Sequence, residues 1–299
     1  MELTLHREFP SALKDQWDDL LSKSTAKVPF LRYAYLEAWW NGRGGAEWPQ
    51  DARLAIITAE LDHQLIGIAP FFSTVNKDGQ LSLLLLGSIE ISDYLDLIAC
   101  PQDLPAFINA LIQFAADNDL PGIFDLYNLF EESPTIPALQ EWAATHGGSL
   151  TTEQLQRCPF IKLPGDWEQY LASIDKKQRH EIRRKMRRAA ETQPPAEWYI
   201  AEDPAQLDAE IDEFFALMAE DEEKNNFLSA AMRETMRAIL HEAQSAGLLK
   251  LAFLTVNGEK TAAYILFVYE GKLWVYNSGF SRKFMDYSPG WVLLGHLLQ

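Results

Sequence analysis

Cysteine is almost absent from this chain: two residues in 299, Cys100 and Cys158, 58 positions apart. That scarcity excludes a disulfide framework, a thiolate metal cluster and a paired-cysteine redox motif, and it points to a reducing compartment. Histidine is scattered too. His6, His63, His146, His180, His241 and His296 include no two at metal-ligand spacing, so no metal is expected. A phosphate-binding Walker loop, a dinucleotide fingerprint and a nucleophile elbow are all missing. So are long hydrophobic runs. The longest, Leu81 to Leu86, is six residues with one serine, against about 20 needed to span a bilayer. The N-terminus, MELTLHREFPSALKDQWDDLL, has charges where a signal peptide needs an apolar stretch. The expectation is a cytoplasmic, soluble chain with no transmembrane segment.

What is present suits a packed core. Hydrophobic residues make up 47% of the chain, which is far from disordered composition, and the length fits two ordinary domains or one large one. Net charge is −17, unevenly spread. Between Asp175 and Glu191 eight basic residues face three acidic ones, a local +5 that leaves −22 for the remainder. A basic helix on an acidic body can hold an anion, or simply be a solvated face that pairs with its surroundings.

Periodicity outlines two similar runs of elements. In the first, Ala12 to Ser22 and FLRYAYLEAWW read as helices, ended by Gly42, Gly44, Gly45 and Pro49. Strands follow at Leu54 to Glu60, Gln64 to Thr74 and Leu81 to Gly87, joined by hairpin signals. Asp93 to Ala99 and Ile123 to Leu129 read as further strands, with helices at Leu104 to Asn118 and near Ala138 to Thr145. From Asp166 the order restarts. A short helix at Trp167 to Ser173 precedes the basic helix, Lys176 to Thr192, with Ile182, Met186 and Ala189 as its apolar stripe. EWYIA is a strand, Ala205 to Glu222 and Ser229 to Ser245 are long helices, and KLAFLTV, TAAYILFVY and LWVYNSGF form a meander. LAIITAELDHQLIGIAPF and LAFLTVNGEKTAAYILF share Leu-Ala and Thr at an offset of 197 residues. An internal duplication is therefore expected, with halves at residues 1–165 and 166–299.

The chemistry concentrates at the end of the chain, YNSGFSRKFMDYSPGWVLLGHLLQ. A strand runs into a turn and then an apolar helix. A helix start carries unpaired backbone N–H groups and positive potential, so it can bind phosphate. Ser288 stands as a candidate N-cap, Pro289 at the first helical position, and Gly290 where a ligand can approach the backbone. A plain, well-started helix is the competing reading.

PFLRYAYLEAWW, LIGIAPFF and LG…DYLDL in the first half, with DKKQRHEIRRKMRRAAE, Thr261-Ala262-Ala263 and YNSGFSRKFMDYSPG in the second, carry a resemblance over nearly the whole chain. The sequence resembles the CelD-like, FemAB-related acetyltransferases, a double-GNAT group linked to polysaccharide or peptidoglycan biosynthesis. The resemblance implies an α+β fold of tandem GNAT-like halves. It also implies a second half that is incomplete, because the family pattern continues with a further strand, a helix and closing strands. A fragment is therefore expected.

The implied reaction is acyl transfer, N-acetyl transfer foremost, from acetyl-CoA or another acyl-CoA to an amine or hydroxyl. Backbone near Asn277, Ser278 and Gly279 would hold the thioester carbonyl. Ser288, Gly290 and Trp291 would hold pyrophosphate, with Arg282 and Lys283 adding charge. Candidate bases are Glu259, Tyr276 and Asp286; each also reads as an ordinary surface carboxylate or sheet aromatic. Lys177, Arg179, Arg183 and Arg184 would contact an anionic, small-molecule or sugar-linked acceptor. The alternatives are a FemAB-type aminoacyl transferase using charged tRNA and a non-catalytic polyanion-binding scaffold. A nucleic-acid partner is disfavoured by the acidic remainder.

Overall fold

The computed structural model describes residues 1–299, which divide into two compact units: residues 1–156 with 234–242, and residues 157–233 with 243–299.

The first unit is built on a mixed sheet. Strand β1 (Glu2–His6) precedes helices α1 (Lys14–Lys23) and α2 (Tyr33–Asn41) and the short turn α3 (Arg43–Ala46). Strands β2 (Arg53–Leu61), β3 (Gln64–Val75) and β4 (Leu81–Leu85) follow, then β5 (Ile98–Ala99), α4 (Leu104–Asp117), β6 (Phe124–Asp125) and α5 (Thr135–His146). The sheet order is β1-β2-β3-β4-β6, with β5 added against β3; only the β4/β6 pair is parallel. The FLRYAYLEAWW helix forms because Tyr33, Tyr35, Leu36, Trp39 and Trp40 are all buried. It is a core helix with no broad polar face.

Three expectations for this unit need correction. Strand β1 was not expected; its five residues pair along Ile56–Glu60, a partner fifty or more positions away. Asp93 to Ala99 supplies only the two residues of β5, and Ile123 to Leu129 only the two of β6. The reason is visible at Asp96. Its buried carboxylate accepts from the Ser133 and Thr135 hydroxyls and the Leu97 N–H, so this segment is committed to side-chain bonds instead of a ladder.

Burial pushes the Asp96 carboxyl above its ordinary value, against the lowering effect of those three donors. A carboxyl raised on folding stabilises the protein while protonated, and that contribution is lost as pH rises from the unfolded value, about 3.9, through the folded one. Asp96→Asn keeps the contacts but reverses one: an amide oxygen accepts from Thr135 and Leu97, and its N–H₂ donates to the Ser133 oxygen, whose hydroxyl proton must turn to another acceptor at every pH. The urea midpoint of this variant should gain on the wild type as pH rises above about 4. A constant difference from pH 4 to 7 would contradict the assignment.

The second unit contains α6 (Trp167–Ser173), α7 (Lys176–Ala190), β7 (Glu197–Ile200), α8 (Leu207–Met218), α9 (Glu222–Phe227), the ends of α10 (Ala230–Ser245), β8 (Leu249–Val256), β9 (Glu259–Tyr269), β10 (Lys272–Phe280) and α11 (Pro289–Leu298). The expected Ala205–Glu222 helix is broken after Met218, where Asp221 starts α9 by accepting from the Lys224 N–H. Its sheet is fully antiparallel, in the order β10-β9-β8-β7.

Strand alternation sorts the core into two faces. Ala252, Leu254, Val256, Ala262 and Leu266 pack with Ala189 of α7 and with Val292 and Leu293 of α11. On the other face α8 lies against β9 and β10. Its approach is so close that a Cβ on Gly279 would meet the Met218 nitrogen at 2.5 Å.

Candidate acyl-transfer site at the β10 edge

Strand β10 is at the edge of its sheet and carries a bulge at Tyr276, where the register shifts between Val275 and Asn277. Beyond the bulge Asn277, Ser278, Gly279 and Phe280 face Ile265, Tyr264, Ala263 and Ala262, and the Ser281 N–H donates to Thr261 O at 2.8 Å. In an antiparallel ladder hydrogen-bonded and non-bonded pairs alternate. Asn277, Gly279 and Ser281 therefore turn their backbone groups toward β9, and Ser278 and Phe280 turn theirs outward.

The outward groups of Ser278 are held by side chains. Its N–H donates to Asn277 Oδ1 at 2.8 Å. Its carbonyl accepts from Lys224 Nζ at 2.6 Å, and the same ammonium lies 3.3 Å from both Asn277 Oδ1 and Ser278 Oγ. Burial pulls the Lys224 ammonium below its usual value, with Asp221 pulling the other way.

After β10 a tight 3-10 turn, Arg282–Tyr287, leads to Ser288 and α11. Ser288 occupies the N-cap position with φ 53 and ψ 52, and its side chain makes no cap hydrogen bond. The expected side-chain cap is thus not made: left-handed backbone replaces the extended conformation that aims an N-cap hydroxyl at the helix. The Ser288 N–H is already donated to Met285 O. The first intrahelical bond runs from the Val292 N–H to Ser288 O at 3.1 Å. Pro289 has no N–H, so Gly290 and Trp291 contribute the uncapped donors of this helix start. Gly290 has a packing reason to lack a side chain: its Cβ would meet the Phe280 ring at 2.4 Å.

The basic helix α7 lies along α11. Arg188 donates to Asp286 O at 2.8 Å and sits over the Tyr287 ring, and Lys185 sits over Trp291. Two cations therefore flank the turn into α11. Sequence reasoning passed over both. The signal was available for Lys185, which falls in the same helical stripe as Ile182, Met186 and Ala189 and so had to face the body of the unit. Of the four residues expected at the acceptor, Arg183 pairs with Glu168 and Arg184 with Glu181, whereas Lys177 and Arg179 have no carboxylate partner.

The remaining sequence candidates are dispersed around this edge. Glu259 and Lys283 hold one another in an exposed ion pair, with both carboxylate oxygens at 2.6 and 2.7 Å from Nζ. Asp286 contributes its backbone carbonyl to Arg188 and exposes its side chain. Tyr276, at the bulge, packs against Phe267 with ring centroids 5.2 Å apart. The Arg282 N–H donates to Glu220. No group of His, Cys, Asp and Glu is arranged to hold a metal, and no helix is long and apolar enough to cross a membrane.

The second unit thus presents a bulged edge strand that feeds an uncapped helix start, on an antiparallel meander covered by helices on both faces. Residues 176–299 match the acetyltransferase (GNAT) domain family, so this part of the chain is a GNAT-type domain. The fold is similar to that of FemX, at 12% identity and TM-score 0.64, covering 100% of this chain and 85% of FemX. A conserved protein of unknown function from Bacteroides thetaiotaomicron is similar as well, at 16% identity and TM-score 0.60, covering 99% of this chain and 86% of its own. No curated protein matches the chain by sequence.

Proposed function

We propose that the chain moves an acyl group, acetyl foremost, from acyl-CoA to an amine or hydroxyl of a small or sugar-linked anionic acceptor. One observation carries the reading: the outward edge of β10 at Ser278 runs without a break in the chain to the free N–H groups of Gly290 and Trp291. An extended pantetheine arm pairs with such an edge as an added strand would. Its pyrophosphate then meets donors and a favourable helix dipole, with Lys185 and Arg188 supplying positive charge nearby. The Ser278 N–H is the donor for the thioester carbonyl, once Asn277 gives it up. Of the three candidate bases, Tyr276 lies at the bulge beside that point, and Glu259 is engaged by Lys283. Lys177 and Arg179, unpaired on α7, are the groups offered to an anionic acceptor.

The first unit is read as a second GNAT-like half that arose by duplication. Support comes from the shared strand order: β1-β2-β3-β4 and β7-β8-β9-β10 are both antiparallel, each with its leading strand beside the first strand of the meander. The boundaries at 165 and 166 belong to this proposal. So does a cytoplasmic setting in polysaccharide or cell-envelope synthesis, consistent with two unpaired cysteines.

The test is calorimetric titration of the full chain with acetyl-CoA and CoA. Saturable one-to-one binding of both is expected. Binding of charged tRNA without CoA would replace this reading with aminoacyl transfer. Salt-dependent binding of polyanions alone would leave a scaffold.

A further inference from the structure

Lys224 is the cation in this unit whose surroundings explain it least. It is half withdrawn from water, and its hydrogen-bond partners are two neutral side chains and a carbonyl; the Asp221 carboxylate acts on it only through space and offsets its burial in part. Removing an ammonium from water is costly unless an anion compensates it. A lysine required only to tie α9 to β10 has no need of its charge, since a neutral amide donor would satisfy Ser278 O as well. The charge is also well placed. Two of its contacts are long, at 3.3 Å, and the short one is to the outward carbonyl of the residue whose N–H faces the same free edge. Within an extended residue the N–H and C=O point to the same side of the strand, so the Lys224 ammonium stands beside the position of any group bonded to the Ser278 N–H.

We propose that Lys224 is a catalytic residue that stabilises the negative charge developing on the thioester oxygen during acyl transfer. This rests on the acyl-CoA reading given above. As the acceptor nitrogen or oxygen bonds to the carbonyl carbon, the C=O π pair moves onto oxygen. It returns as the C–S bond breaks, the thiolate leaves with the bonding pair, and the acceptor's proton passes to a base. Only the first of these movements places an anion at the β10 edge. A preorganised cation there stabilises the transition state more than the neutral ground state. Ser278 O and Asn277 Oδ1 hold the ammonium in place beforehand.

The experiment uses S-carboxymethyl-CoA, whose carboxylate puts a permanent negative charge close to where the oxyanion forms, and CoA, which lacks that carboxylate. The full chain should bind carboxymethyl-CoA about tenfold more tightly than CoA, the size of one charge-assisted hydrogen bond. Lys224→Met should abolish that preference and leave CoA affinity unchanged. Lys224→Gln, which keeps a donor for Ser278 O, should behave in the same way and decides the matter if the methionine variant is poorly folded. Lys224→Arg should retain a preference. Equal affinities in the wild type, or a preference that survives Lys224→Gln, overturns the role of Lys224 while the acyl-CoA reading stands. Failure of the wild type to bind CoA at all overturns both.

Discussion

Gly279→Val should destabilise the second unit by about 4 kcal/mol, at the severe end for a single substitution. A Cβ at this position would stand 2.5 Å from the Met218 nitrogen and 2.7 Å from the Leu217 carbonyl carbon. Both are backbone atoms in the last turn of α8, so no side chain can swing aside. Relief requires moving α8 as a whole, and that helix is anchored by buried Ile211, Phe214, Phe215, Leu217 and Met218. Overpacking against backbone has few ways to relax. The melting temperature should fall by roughly 10 °C or more. Gly271→Ala is the comparison. Gly271 has φ +69 and nothing within 4 Å of its would-be Cβ, so the cost is the backbone preference alone, about 1 kcal/mol. Urea unfolding of the two variants separates the cases; equal losses would mean that β10 and α8 are not in the contact described.

Ser288→Asp should leave the fold intact, or slightly stabilise it, and weaken CoA binding by at least about tenfold. The left-handed backbone of Ser288 is tolerated by aspartate better than by most residues, and an anion at a helix start is favoured by the dipole. The same carboxylate repels a pyrophosphate seated on the Gly290 and Trp291 N–H groups. A charge pair within about 5 Å at an exposed site interacts by a few kcal/mol at most, which sets the tenfold scale. The variant is cleaner than any side chain placed on Gly290, because even a methyl group there strikes Phe280. Ser288→Gly should bind CoA as the wild type does. Unchanged CoA affinity in Ser288→Asp would remove the helix start from the site.

Most of the second sheet was legible in the sequence because its turns announce themselves. Asn257-Gly258 and Glu270-Gly271 both adopt positive φ, as two-residue hairpins require, and fix the three strands between them. Asp62-His63 does the same in the first sheet. Strand β1 was not legible, because five residues near a terminus become a strand only through pairing with β2. DYLDLIA alternates like a strand, but the commitment of Asp96 to Ser133 and Thr135 is a long-range fact that alternation cannot carry. The site divides along the same line. The edge strand and the turn before α11 are contiguous in sequence and could be read together. Lys224 sits in Glu-Glu-Lys-Asn-Asn, which reads as a solvated helix end, and it meets Ser278 across 54 positions. The basic helix was visible as charge, but which cations reach α11 depends on the face that its apolar stripe buries: Lys185 and Arg188 stand at the turn, while Arg183 and Arg184 pair with Glu168 and Glu181.

Hydrogen exchange of the full chain with and without CoA tests the location of the acyl donor most directly. Bound CoA should slow exchange at the outward Ser278 amide and at the amides of Gly290 and Trp291, while Gly279, already bonded to β9, stays as it was. Protection confined to other segments, or none at saturating CoA, would contradict an acyl-CoA site along the β10 edge.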